Sequence, residues 1–211
     1  MIVILNPNSS AQMTASMLDT ARRTAPNCQI EAWTSHDGPP SIQGAEDGAA
    51  CLPPLLDLVR KAAGLGPRAI VIGCFDDTGL QEARAIANCP VIGIGQAAYH
   101  LAAMLGPRFS VVTTLSASIP ILEANIRSYG LGGQLASVRA SGVPVLDLET
   151  DRDRCYPMVL AEAELAARND GVQSVVLGCG GMSGLPEFAG NRLSVPLIDG
   201  VRVAVRMAGL L

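Results

Sequence analysis

The chain reads as an α/β protein of two pseudo-symmetric, doubly wound (Rossmann-like) halves, each with a central parallel sheet, with a site in the cleft between them. Short β-rich apolar runs alternate with helical stretches, as βαβ units with right-handed crossovers require. Of 211 residues 49% are apolar but only 3% aromatic, and 22 are glycine, which predicts an aliphatic, closely packed core. The third observation is that the sequence repeats itself.

Three pairs of segments carry the repeat. Val71-Ile72-Gly73-Cys74-Phe75-Asp76-Asp77-Thr78-Gly79-Leu80 matches Val176-Leu177-Gly178-Cys179-Gly180-Gly181-Met182-Ser183-Gly184-Leu185, 105 residues on. Pro90-Val91-Ile92-Gly93-Ile94-Gly95 matches Pro196-Leu197-Ile198-Asp199-Gly200 at a spacing of 106. The opening strand Ile2-Val3-Ile4-Leu5, running into Asn6-Pro7-Asn8-Ser9-Ser10, resembles Phe109-Ser110-Val111-Val112 followed by Thr113-Thr114-Leu115-Ser116.

Taken in order, the first strand leads to a helix over 12–25, where Met13, Met17, Leu18 and Ala21 fall at helical spacing and Ser10 can cap. A second helix covers 55–63 and stops at Gly64-Leu65-Gly66-Pro67. After the strands ending at Cys74 and Gly95 comes an Ala-rich helix, 96–105. The second half follows suit with helices over 119–129 and 156–168, then the strands ending at Cys179 and Asp199, and a last helix over 201–211. The halves are therefore 1–95 plus the C-terminal helix at about 201–211, and 96–200.

Composition excludes several functions. Net charge is −4 and Lys61 is the only lysine, so no basic cluster exists to neutralise a run of phosphates. No uncharged apolar stretch nears the ~20 residues of a membrane span. Met1-Ile-Val-Ile-Leu has no basic leader region, so six cysteines as free thiols in a reducing cytoplasm are expected. None lies in CxxC spacing, and no zinc site is expected. Cys28, Cys51, Cys89 and Cys155 read as small core residues. His36 reads as a solvated loop residue and His100 as a packed helical one.

Cys74 and Cys179 differ from the rest because they occupy matching strand ends, where α/β sheets collect ligands. Two copies of one acid–base group, facing each other across a pseudo-twofold axis, suit the removal of a carbon-bound proton from one face and its replacement on the other. A thiol's ordinary pKa near 8.5 is not far from working pH, and one thiolate raises the pKa of its neighbour. A helix N-terminus after each strand is expected to lower the first. Gly73, Gly178, Gly180 and Gly181 admit substrate close to backbone and offer N–H donors to developing negative charge. Asn6, Asn8, Ser9, Ser10, Thr113 and Thr114 add neutral polar groups, suited to an uncharged heterocycle or amide. Asn6-Pro7-Asn8 also reads as a turn with a cap, and Asp76 and Asp77 as caps of the helix that follows them.

Asn6-Pro7-Asn8-Ser9-Ser10 with Met13-Thr14, Gly73-Cys74-Phe75-Asp76-Asp77 and Gly178-Cys179-Gly180-Gly181-Met182 resemble the hydantoin racemase family, within the aspartate/glutamate racemase superfamily. Ser41-Ile42-Gln43-Gly44, Val111-Val112-Thr113-Thr114 and Ile198-Asp199-Gly200 extend the resemblance over essentially the whole chain. It implies a cofactor-independent, metal-free, two-base racemase or epimerase, with catalytic Cys74 and Cys179, acting on 5-substituted hydantoins or allantoin. It also implies a homo-oligomer. Thr78, Gln96 and Gly180 depart from the family's usual Pro, acidic residue and Ala, and the ring substituent stays open. Amino-acid racemisation, a decarboxylase or isomerase of the same superfamily, a small-molecule-binding protein and a redox switch closing a Cys74–Cys179 disulfide are the alternatives. Phe75-Asp76 and Gly180-Gly181 stand where glutamate racemases carry Asn-Thr and Thr-His, which weighs against the amino-acid reading.

Overall fold

The computed structural model describes residues 1–211 and contains two parallel four-stranded sheets. The first has the order β2 (Ile30–Thr34), β1 (Ile2–Asn6), β3 (Ala69–Ile72), β4 (Val91–Gly93). The second repeats it as β6 (Leu135–Ala140), β5 (Phe109–Thr113), β7 (Ser174–Leu177), β8 (Leu197–Asp199). In each sheet the chain steps outward one way from the first strand and then returns to its other side. The crevice between β1 and β3, and that between β5 and β7, are therefore the switch points where such sheets hold ligands.

Registers agree between the halves: Leu5 lies opposite Ile72, and Val112 opposite Leu177. The next backbone hydrogen bond is the same too, Gly73 N–H to Leu5 O and Gly178 N–H to Val112 O, both 2.8 Å. A Cβ on Gly73 would sit 2.9 Å from Met17 Sδ, and one on Gly178 2.9 Å from Val112 O. Backbone blocks any side chain at Gly178, whereas at Gly73 one would have to displace the end of Met17 and press on Leu5 O at 3.1 Å.

The helices are α1 (Ala11–Thr24), α2 (Ala45–Ala63), α3 (Leu80–Ile86), α4 (Ile94–Leu105), α5 (Ile119–Ser128), α6 (Asp147–Thr150), α7 (Arg152–Asn169), α8 (Leu185–Ala189) and α9 (Gly200–Gly209). α6 and α8 were not expected, and two of the expected helices start early. α7 starts four residues early, at Arg152, with Asp151 as its N-cap. α2 starts ten residues early and runs through Pro53 and Pro54. The prolines remove donors for the carbonyls of Ala49 and Ala50, which are exposed and can turn to water. Cys51, Leu55, Val59 and Ala62 still form one buried stripe, so packing outweighs the local break.

α2 covers the outer face of the first sheet and α7 that of the second. Between the sheets lie α1, α4 and α9. α4 leaves β4 yet packs on β7 and β8, while α9 leaves β8 and packs on β1 and β3. This exchange makes one continuous central core, with Ile4, Met17 and Val71 from one side and Phe109, Val111 and Val176 from the other. Phe75 meets Tyr99 edge-on and Tyr99 stacks on Phe109 through its middle, with ring centroids 5.3 and 6.2 Å apart. No helix is long and apolar enough to cross a membrane.

Candidate active site

Both thiols, half-buried and unpaired, line one small cleft at the carboxyl ends of β3 and β7. Asn8, Ile42, Gly73, Phe75, Asp76, Thr114, Gly178 and Gly180 line it with them, all named from the sequence. The two cysteine loops nearly touch, since a Cβ on Gly180 would lie 3.5 Å from Gly73 O. Met13, Ser118 and Val145 complete the wall; sequence reading had placed Met13 on a helix face and in the family motif without assigning it to the site, and had not singled out the other two. No Arg or Lys lines the cleft.

The remaining predicted residues stand one layer back. Asn6 is fully buried, and its Nδ2 donates to Asn8 Oδ1 (2.8 Å), Ser10 O (3.1 Å) and Thr14 Oγ1 (3.0 Å). It therefore aims Asn8. Ser9 donates its N–H to Pro39 O (2.9 Å), and Thr113 Oγ1 donates to Gly178 O (3.2 Å). Ser41 is buried next to Ile42. A Cβ on Gly181 would lie 3.7 Å from Cys179 Sγ.

Ser10 caps α1 as expected, accepting Met13 N–H at 3.1 Å, and its hydroxyl donates to both oxygens of Glu149 at 2.9 and 2.7 Å. Gln12 Nε2 donates to Glu149 O, and Val145 N–H donates to Gln43 Oε1. The segment around α6 thus closes over the cleft from the second half. The cavity that remains is small, about 30 Å³.

The expectation that helix N-termini would lower the thiol pKa values is corrected. Burial pushes Cys179 up to about 12 and Cys74 well above its ordinary value. The N–H of Gly181 pulls the first down, and the N–H of Asp76 the second, but desolvation is larger in both. Only a short 3₁₀ turn, Gly180–Met182, follows Cys179, while α3 begins six residues after Cys74, too far for its dipole to act. The carboxylate of Asp76 raises Cys74 further, and Thr78 Oγ1 lies 3.8 Å from its sulfur.

The two aspartates do not cap the helix that follows them. Asp77, at φ 49°, accepts from Gly95 N–H (3.1 Å) and Gln96 N–H (2.6 Å), and so caps α4 instead. Tyr129 Oη donates to its Oδ2 at 2.9 Å. The Gln96 side chain faces away and accepts from Arg84. Asp76 makes no side-chain hydrogen bond; burial alone raises it to about 7. His100 is exposed on α4, not packed, with Nδ1 2.8 Å from Gln96 O. No cluster of His, Cys, Asp and Glu suited to a metal ion forms anywhere. A larger groove of about 470 Å³, lined by Arg23, Arg202, Arg206 and Met207, lies outside α9 and contains no thiol.

Two mirrored α/β halves, each bringing a Gly-Cys strand end to one cation-free cleft, define the class of an isomerase, a racemase. The Asp/Glu/hydantoin racemase family model matches residues 2–208, and the chain belongs to that family. It is 44% identical to the hydantoin racemase of Rhizobium meliloti over 208 residues, 98% of this chain and 86% of that one. The allantoin racemase structure from Klebsiella pneumoniae superposes with a TM-score of 0.95 at 38% identity, covering all of this chain and 86% of that one. A glutamate racemase from Francisella tularensis, 18% identical, shares the fold with a TM-score of 0.72, over 99% of this chain and 79% of that one.

Proposed function

We propose that the protein racemises 5-substituted hydantoins, allantoin among them, by a two-base mechanism on Cys74 and Cys179. One thiolate removes the C5 proton. The C–H electron pair passes into the adjacent carbonyl, whose oxygen gains the negative charge. The opposite thiol delivers its proton to the other face, so the ring leaves inverted and the two sulfurs have exchanged states. Backbone N–H groups of the two cysteine loops are the donors nearest this charge. Closing the cleft strengthens them by excluding water.

One observation carries the reading: both thiols line a single cleft with neutral polar groups, the Asp76 carboxyl and no cation. A zwitterionic amino acid would bring a carboxylate to a place with nothing positive to receive it. The two similar racemases named above are, by their names, enzymes of hydantoins and of allantoin, which is itself a 5-ureidohydantoin.

Polarimetry in deuterated buffer tests this directly. Wild-type protein should erase the rotation of a single 5-substituted hydantoin enantiomer, or of allantoin, with uptake of one deuteron at C5, and should leave aspartate and glutamate unchanged. Cys74→Ser and Cys179→Ser should each lower racemisation at least ~10³-fold, while each single variant still exchanges deuterium into one enantiomer only. Wild-type rates in the double variant would refute the assignment of the bases.

A further inference from the structure

Asp76 is the one buried carboxyl in this cleft, and the mechanism above does not use it. It is 8% exposed, and its Oδ2 is wholly enclosed without a hydrogen-bond partner. Such a group is costly unless something completes it. Its backbone carbonyl accepts from Asn125 Nδ2 at 2.6 Å. The carboxyl therefore stays in the cleft wall. The titratable groups whose charge it feels or affects are Cys74, Cys51, Cys179, Asp77 and Tyr99, and none is a cation. Among the other lining groups, Asn8 Nδ2 donates only to Met13 Sδ (3.3 Å). Asn8 can thus serve a carbonyl, while Asp76 is the strongest acceptor available for an N–H.

We infer that Asp76 is the specificity-determining residue of the cleft: its carboxyl accepts an N–H of a neutral cyclic ureide and rejects substrates carrying a free carboxylate. The inference rests on the racemase reading above and adds to it what distinguishes ring from acid. A second negative charge beside Asp76, in a cleft without Arg or Lys, has no compensation. A ring N–H would give this carboxyl the partner it lacks.

The test compares two ligands that differ by one water: hydantoin, and its ring-opened acid N-carbamoylglycine. Calorimetry on the full-length wild type at pH 8, above the value of about 7 to which burial raises Asp76, should give hydantoin the lower Kd by at least ~100-fold. Asp76→Asn keeps the shape and an acceptor oxygen but removes the charge. It should weaken hydantoin and tighten N-carbamoylglycine, so that the Kd ratio falls at least ~10-fold. Asp76→Ser should move the ratio the same way, and carries the test if the Asn variant does not fold. A purely structural role would weaken both ligands together and leave the ratio unchanged. An unchanged ratio in the folded variants, with wild type still racemising hydantoins, overturns the inference alone. A wild type that neither racemises nor binds hydantoins overturns the parent reading, and the inference with it.

Discussion

In the first half the carboxylate that caps the crossover helix comes from the cysteine loop, whereas in the second half it comes from the end of the last strand. Asp77 accepts from Gly95 and Gln96 at the start of α4; Asp199 accepts from Val201 (2.9 Å) and Arg202 (3.4 Å) at the start of α9. The counterpart of Asp199 in the repeat is Gly93, where a Cβ would sit 2.0 Å from Asp77 Oδ1. One carboxylate position is thus reached from two different backbone sites. The consequence is chemical. With the second loop reduced to Gly180 and Gly181, Cys179 is affected mainly by burial and the Gly181 N–H, while Cys74 carries Asp76 as a direct neighbour. Duplicate thiols do not have duplicate surroundings, and under the proposed two-base mechanism the half-reactions starting from the two enantiomers need not be equally fast.

The largest effect should come from moving the second half's solution into the first. Gly93→Asp alone forces a side chain into the Asp77 carboxylate and should cost about 3 kcal/mol or more. Asp77→Gly alone removes the α4 cap and the Tyr129 partner, and should cost about 2 kcal/mol. If the two positions are alternatives for one carboxylate, the double variant should recover at least about 2 kcal/mol of the summed loss. Urea midpoints on the four proteins of the cycle measure this. Additive losses would mean that the equivalence of the halves stops at the strands.

That equivalence was largely legible in the sequence, because it depends on patterns short in sequence. Buried β1, β3, β5 and β7 read as apolar runs, and a Gly-Cys step recurs where each β3-type strand ends. The weaker strands β2 and β6 were not singled out; their residues are mostly half-buried and carry no clean alternation. Asp77 was recognised as a cap but matched to the wrong helix, since its true partners lie 18 and 19 residues on and are brought near only by β4 pairing with β3. Asn125, Tyr129, Ser118, Val145 and Glu149 reach the cleft or its walls from the other half, a relation no local pattern encodes. The thiol pKa values failed for a related reason. A helix dipole can be read from sequence, but the depth of burial that outweighs it cannot.

The edges of the two sheets differ as well. On β6, Arg139 forks onto Asp170 (2.6 and 2.9 Å) and reaches Glu162 (2.9 Å), while Ser110 and Ser137 donate to the same Asp170 oxygen. On β2 the corresponding tie is one Thr14–Thr34 hydroxyl contact at 2.7 Å. Arg139→Met leaves a nearly buried carboxylate without its cation and should cost about 2–3 kcal/mol at pH 7. Thr34→Val should cost under about 1 kcal/mol. The pH dependence has a definite sign. Hydrogen bonds from Arg139 hold the Asp170 carboxyl below its ordinary range, so its contribution is present above about pH 4 and is lost as pH falls through the folded value. The gap in Tm between wild type and Arg139→Met should therefore narrow from pH 6 to pH 3. A constant gap would assign the effect to packing.

The smallest expected effect separates two serines at matching helix starts. Ser10 caps α1 with its side chain and bonds Glu149 across the cleft, whereas Ser118, at the start of α5, makes no side-chain cap although it lines the cleft. Ser10→Ala should cost about 1–2 kcal/mol, a lost cap plus a lost partner for a carboxylate that burial already disfavours. Ser118→Ala should change stability by less than about 0.5 kcal/mol. Their kinetic effects should divide differently. Ser10 helps hold the segment around α6 down over substrate, so its loss should raise KM a few-fold with kcat nearly unchanged, provided that closure precedes chemistry. Ser118 lines the cleft, so its loss should fall on kcat/KM without any change in the urea midpoint. Equal stability losses in the two variants would show that α5 is capped through Ser118 after all, and that the halves are more alike at their helix starts than at their thiols.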